Sequence, residues 1–318
     1  MEIFLSTFEA VFLLLGFGIV GFWIIAKKIV PTVILGVLSP LIIDIALPCL
    51  VFTNIIKNFN PSEMPDWWTL PLWWAWFFAV VVALSVGYLK FSKNKFKAEY
   101  GMCLTYPNAI FFPLAIIPGI FGLTSPLLTQ LFIFTLLYPA ILFNSYVIFY
   151  KNAKKAKTGF DLEKMFNPLL ITTIVALVIK LTGSDVYIPG VFVKITDKIS
   201  AISLPLIMMM IGGNIYVDYK NKGKIHFNEI AKFIFIKHII YPIIIFVLLL
   251  IVRPPVSVSF LIFLQSILPP VTAITLLVDK AKGNVPVTNQ FLVSSFILSI
   301  MFVPVWVLIY SNFFEMPL

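Results

Sequence analysis

Two short polar clusters interrupt otherwise apolar stretches of this sequence and hold most of its side chains suited to gripping a small molecule. The first is Thr105-Tyr106-Pro107-Asn108, with Pro113 and Pro118 further on, and the second is Gln265-Ser266-Ile267-Leu268-Pro269-Pro270-Val271-Thr272. Each falls near the middle of a run long enough to cross a bilayer. Proline removes a backbone donor and clashes with the preceding turn, costing about 3 kcal/mol in a helix interior. Broken backbone at membrane depth is tolerated only where protein or a water-filled cavity satisfies the freed groups. The expected substrate-binding residues are Thr105, Pro107, Asn108, Gln265, Ser266, Pro269 and Pro270.

The chemistry these clusters suit is recognition of a small anion. If the first runs outward and the second inward, the half-helices after the breaks begin at the midplane and point their N-termini at each other. A helix N-terminus carries about half a positive charge, and two of them beside amides and hydroxyls form an anion site. The competing reading is two independent proline kinks in packed helices.

Other polar residues fall inside apolar runs. Asp44 lies at the centre of one, where a carboxylate costs about 2.5–3.5 kcal/mol on insertion scales. It reads either as a proton or sodium coupling site or as a neutral, hydrogen-bonded acid holding helices together. Lys237 is expected to snorkel to the cytoplasmic surface, and Asn144 and Asn289 to bond between helices. Asn54, Asn58 and Asn214 sit near helix ends and carry little information. Cys49 and Cys103 read as small core residues, and neither His226 nor His238 is a convincing metal ligand, so no metal or cofactor is expected. No HExxH, GxSxG, Walker A loop or catalytic carboxylate pair occurs, which argues against an enzyme.

The elements that must position these residues are dictated by composition. Of 318 residues 60% are hydrophobic and only 12% charged, with mean hydropathy +1.03, more apolar surface than a soluble domain of this length can hide. A spanning helix needs about 20 apolar residues, and runs of that size fall at about 3–26, 31–56, 66–90, 97–121, 124–150, 166–183, 188–216, 229–252, 256–279 and 286–312. The sixth is the shortest. Trp67, Trp68, Trp73, Trp74 and Trp76 crowd one helix start and read as an aromatic belt anchored at a membrane surface.

The formal charge of +9 does not indicate nucleic acid, because the basic residues sit in the short gaps between runs and not on one face. Sorted by alternate gaps, one set holds seventeen Lys residues, from Lys27 and Lys28 through the central cluster Lys151 to Lys164 to Lys280 and Lys282; the other holds Lys57, Lys180, Lys194, Lys198 and Arg253. Cytoplasmic loops are enriched in Lys and Arg, so the central cluster is expected in the cytoplasm and both termini outside. The start, Met1-Glu2-Ile3, lacks the basic n-region of a secretory signal and reads as a retained helix. The run Lys151 to Lys157 could hold anionic lipid, though ordinary topology already accounts for it.

The second run contains Leu47-Pro48-Cys49-Leu50 and the seventh Leu204-Pro205-Leu206-Ile207, a Leu-Pro-x-apolar step at the same depth five helices apart. An odd offset means the two halves enter the membrane from opposite sides, the inverted repeat of many secondary transporters. The expected fold is all-α: ten transmembrane helices as two inverted five-helix repeats, with broken crossover helices four and nine. Residues 1–150 form the first repeat, 151–165 a cytoplasmic basic linker and 166–318 the second repeat.

The segments Ile45-Ala46-Leu47-Pro48-Cys49-Leu50-Val51-Phe52, Pro107-Asn108-Ala109-Ile110-Phe111-Phe112-Pro113-Leu114 and Leu268-Pro269-Pro270, followed by Val278-Asp279-Lys280-Ala281-Lys282-Gly283 and Val303-Pro304, resemble the second, fourth, ninth and tenth helices of the auxin efflux carrier family. That family includes plant PIN exporters and microbial carriers described as malate or malonate permeases, and the resemblance covers nearly the whole chain. It implies a scaffold of helices one, two, six and seven, a transport domain of helices three to five and eight to ten, a substrate at the crossover of four and nine, an elevator-like motion and often a homodimer. Two features depart from it: the long cytosolic loop of many plant members is absent, and the Gly-rich fourth-helix pattern is here Ala109-Ile110-Phe111-Phe112.

The expected function is a secondary carrier in the plasma membrane that exports a small organic anion such as a carboxylate. With the interior negative, each net charge contributes about 2.3 kcal/mol per 100 mV, so outward movement needs no coupled ion. The alternatives are a sodium-coupled importer of the bile-acid symporter type and, from another class, a membrane receptor without transport.

Overall fold

The computed structural model describes residues 2–122, 124–150, 166–221 and 223–317; the linker expected over 151–165, with its proposed lipid contact, lies outside the described residues. Every regular element among the described residues is helical. Seven helices are long and apolar enough to cross a membrane: α1 (Glu2–Ala26), α2 (Val33–Asn58), α3 (Trp67–Phe91), α6 (Pro126–Ser145), α8 (Gly190–Lys220), α9 (Phe227–Val252) and α12 (Val285–Phe313). Between them stand five shorter helices, α4 (Lys97–Thr105), α5 (Phe111–Phe121), α7 (Pro168–Leu181), α10 (Val256–Ile267) and α11 (Ile274–Lys280). The short helices cover the fourth, sixth and ninth runs of the sequence. Two of those runs are short because the backbone breaks inside them, and the sixth because Gly183, at φ +68°, ends its helix.

Close backbone approach fixes the central packing. On α1, a Cβ at Gly21 would stand 1.9 Å from the Met209 carbonyl oxygen, and on α8 a Cβ at Gly212 would stand 1.8 Å from that of Gly18. Only glycine fits there. In lipid, where helices gain little from hiding apolar surface from each other, such small residues allow the van der Waals contact that drives association. α1 also packs on α12 and α5, while α2 packs against α7 and the first half of α8.

Proline in the long helices is accommodated by local irregularity. Leu41–Ala46 forms a π turn in α2 just before Leu47-Pro48, and Ile236–Ile240 forms another in α9 just before Tyr241-Pro242. In α8 the winding is disturbed at Ile202, directly before Ser203-Leu204-Pro205. Each wider or broken turn makes room for the proline ring, and the His238 carbonyl that Pro242 leaves without a helical donor accepts from Trp306 Nε1 at 2.7 Å.

Two expectations are corrected. Lys237 does not snorkel: it is 2% exposed, turned inward by the π turn of α9. Trp74 is not a surface anchor: it is 1% exposed, stacked on Phe78 and edge-on to Tyr138. Trp68, by contrast, is exposed, as a belt residue should be.

Candidate functional site

The two interruptions meet. α4 ends at Thr105 and α5 begins at Phe111, while α10 ends at Ile267 and α11 begins at Ile274, and the extended segments between them lie antiparallel with Pro107 opposite Pro270. Each proline explains a lost helical bond. Pro107 cannot donate to the Cys103 carbonyl, and Pro269 and Pro270 cannot donate to those of Gln265 and Ser266. The backbone between the half-helices pairs across the junction instead: Asn108 N donates to the Pro269 oxygen at 2.8 Å, and Val271 N donates to the Tyr106 oxygen at 3.0 Å. This is a two-rung fragment of β pairing inside a helical protein, and it satisfies backbone that would otherwise be stranded in an apolar interior.

Side chains complete the junction. Gln265 Nε2 donates to the Ala109 oxygen at 2.8 Å, and Tyr138 Oη donates to the Pro107 oxygen at 2.5 Å. Asn108 Oδ1 accepts from Phe111 N at 3.3 Å, capping the first turn of α5. That leaves two polar atoms buried at the junction without a partner, Asn108 Nδ2 and Gln265 Oε1. Buried polar atoms in native proteins are almost always paired. One donor and one acceptor facing a closed interior, beside the N-terminus of α5, are the groups a small polar ligand would satisfy.

The expected site residues are thus brought together, but their side chains are not equally available. Asn108 and Gln265 are wholly buried and each offers one free atom. Thr105 Oγ1 donates to Ser85 Oγ at 2.8 Å, and Ser266 Oγ donates to the Phe263 oxygen at 2.6 Å within its own helix. The three prolines contribute backbone shape. Asp44 stands apart: its side chain is exposed, and its π turn packs on α7 and α8. Asn289 does bond between helices, donating to Asp218 Oδ1 at 3.0 Å and accepting from Thr275 Oγ1 at 3.0 Å. Asn144 Nδ2 donates to the Ala140 oxygen of its own helix.

Sequence reasoning missed three contributors. Tyr138 reaches the Pro107 carbonyl, and Tyr241 bonds Ser85 at 2.8 Å and so supports Thr105 from behind. Lys237 lies 6.0 Å from the centre of the Tyr241 ring. The available signal was a Tyr-Pro step, Tyr138-Pro139 and Tyr241-Pro242, in two apolar runs.

A pocket of about 600 Å³ opens among Asn94, Lys95, Lys97, Glu99, Lys282 and Asn284, at the loops entering α4 and α12. No group of His, Cys, Asp or Glu suited to a metal ion occurs among the described residues.

Interrupted apolar helices meeting in the interior of a multi-pass helical protein place this chain among membrane transport proteins. Residues 6–307 match the profile of the family described as membrane transport protein, and the chain belongs to that family, the auxin efflux carrier or PIN-like family. A search among curated proteins returns no match.

Proposed function

We propose that the chain is a secondary carrier that exports a small organic anion such as a carboxylate, binding it where the helix breaks at Asn108 and Gln265 meet and moving it by an elevator-like alternation. The observation that carries this reading is the buried pair of unpartnered amide atoms, Asn108 Nδ2 and Gln265 Oε1, at the junction. The donor and the α5 N-terminus favour a carboxylate oxygen. Both termini are placed outside and the Lys-rich loops in the cytoplasm of a plasma membrane. On that orientation Lys95, Lys97 and Lys282 line a cytoplasmic pocket whose field gathers anions for outward passage.

The ten-helix inverted repeat is part of the proposal, and the packing supports it. α1 packs on α8, and α7 packs on α2; exchanging first for sixth and second for seventh spanning segments turns one contact into the other. Likewise α3 packs on α10, and its counterpart is α9 against α4, where Tyr100 Oη donates to the Glu229 carbonyl at 2.7 Å. The scaffold is then α1, α2, α7 and α8, and the moving part comprises α3 to α6 and α9 to α12. Asp44 is the candidate coupling residue for a proton or sodium ion, or a residue covered by a second copy in a homodimer.

Flux of [14C]malonate into proteoliposomes, measured with and without sodium, a proton gradient and a clamped voltage, tests the reading. Voltage-driven uptake without sodium supports the uncoupled carrier. Strict sodium dependence supports the importer, and no flux of any carboxylate in protein of proven fold overturns the function.

A further inference from the structure

Lys237 and His238 are adjacent, both buried, and both turned inward by the π turn of α9. Each addresses the C-terminal end of one half-helix at the junction. Lys237 lies close enough to Cys103, in the last turn of α4, for the two side chains to interact electrostatically, and Cys103 is the residue whose carbonyl Pro107 leaves without a donor. His238 lies beside the carbonyl of Ile267, the last residue of α10, and its Nε2 stands 2.5 Å from Ser295 Oγ on α12. Its own carbonyl accepts from Trp306 Nε1 at 2.7 Å, and its ring stacks on Phe302, so the turn is held rigidly. A helix C-terminus carries about half a negative charge, and two of them end here, which is favourable ground for one cation.

No carboxylate pairs with Lys237 among the described residues; the ion pairs there join other groups. The buried acid on the same helix as Cys103 is Glu99, and its carboxylate accepts from Asn284 N at 2.7 Å and from Tyr150 Oη at 3.3 Å. Lys237 is therefore a buried amine whose natural counter-charge is absent from its own surroundings. A chain of contacts links it to the junction: Tyr241 under its ammonium group, Ser85 bonded to Tyr241, and Thr105 bonded to Ser85.

We infer that Lys237 supplies a positive charge to the loaded moving part, an ammonium favoured by the bound anion and placed to offset one negative charge of the substrate, so that the loaded carrier crosses the membrane one unit less negative than its cargo. In a low-dielectric interior charges interact strongly without contact, so Lys237 acts as a charge-balancing residue and need not touch the substrate. A monocarboxylate then crosses as a neutral complex. This rests on the elevator reading above.

The test is equilibrium exchange of [14C]lactate and of [14C]malonate in proteoliposomes at clamped voltage, for wild type, Lys237→Met and Lys237→Arg. Exchange of a neutral complex is independent of voltage. A complex bearing one charge is drawn to one side, and its exchange slows by about threefold at 100 mV of either sign, from the energy of one charge in that field. For wild type, lactate exchange should stay flat and malonate exchange should fall by that factor. For Lys237→Met, lactate should behave as malonate did in wild type, and malonate should become steeper still, while Lys237→Arg should match wild type. Met fills similar volume, and replacing a lone buried charge by an apolar side chain spares the fold; gel-filtration profile and melting temperature check this. Equal voltage curves for wild type and Lys237→Met overturn the inference alone. A misfolded Met variant shifts the decision to wild type, where voltage-dependent lactate exchange overturns it. If neither anion exchanges in wild type, the carrier reading falls and the inference with it.

Discussion

The backbone N–H of Asn108 donates to the carbonyl of Pro269 at 2.8 Å, joining helix breaks that lie 161 positions apart in the chain. The bond exists because prolines on both sides deny the helices their own. If Pro270→Ala restores a donor for the Ser266 carbonyl, α10 can wind further and the junction opens. Flux should fall at least about tenfold in that variant and in Pro269→Ala, with the melting temperature little changed. Pro40→Ala, in α2, should transport normally. Normal flux in Pro270→Ala would show that the extended pairing is incidental.

Gly21 and Gly212 make the second prediction. Side-chain carbon at either would stand within 2 Å of a carbonyl oxygen on the facing helix, and neither backbone can step aside without parting α1 from α8. Gly21→Val or Gly212→Val should lower stability by at least about 1–3 kcal/mol, the usual cost of overpacking. Gly16→Ala is the control, since a Cβ there meets nothing within 4 Å. Thermal unfolding in detergent, followed by tryptophan fluorescence, measures the difference.

Much of the candidate site was legible because polar residues and prolines are conspicuous against so apolar a background. Asn108, Gln265, Pro269 and Pro270 stood out by type, and they do meet. What they do there was not legible, since the antiparallel pairing joins segments whose relative height depends on packing and not on local sequence. Lys237 misled for a related reason. Its distance from the start of its run suited a snorkelling side chain, but snorkelling requires a path to the surface, and the π turn at Ile236–Ile240 directs it into the protein instead. Trp74 shared its composition with the belt around it; its packing against Phe78 and Tyr138 separates it from the exposed Trp68.

Asp44 supplies the third prediction. Its carboxylate is exposed on α2 between the exposed Ile43 and Ile45, an expensive arrangement against lipid. If Asp44 couples transport, Asp44→Asn should fold, bind substrate and lose any dependence of flux on pH or sodium seen in wild type. If a second copy of the chain covers it, the same variant should leave that dependence intact and change the dimer fraction measured by light scattering. Unchanged flux curves together with an unchanged dimer fraction would remove Asp44 from both roles.

Orientation is tested by labelling. Single cysteines at Ser62, exposed in the turn between α2 and α3, and at Gly190, the exposed first residue of α8, should react with an impermeant maleimide added outside intact cells, and one at Asn221 should react only after permeabilisation. The reverse pattern would invert the topology and, with it, place the Lys95, Lys97 and Lys282 pocket outside.

The central claim is that an anion binds at the junction beside Asn108, and Asn108→Asp tests it most directly. Aspartate keeps the side-chain oxygen that caps α5 through Phe111 N, so the fold should survive, but it replaces the free amide donor with negative charge. With like charges in a closed interior, [14C]malonate flux through Asn108→Asp should fall at least about a hundredfold, with a melting temperature within a few degrees of wild type. Flux at the wild-type rate through the well-folded Asp variant would contradict the account, because no anion could then be bound against that side chain.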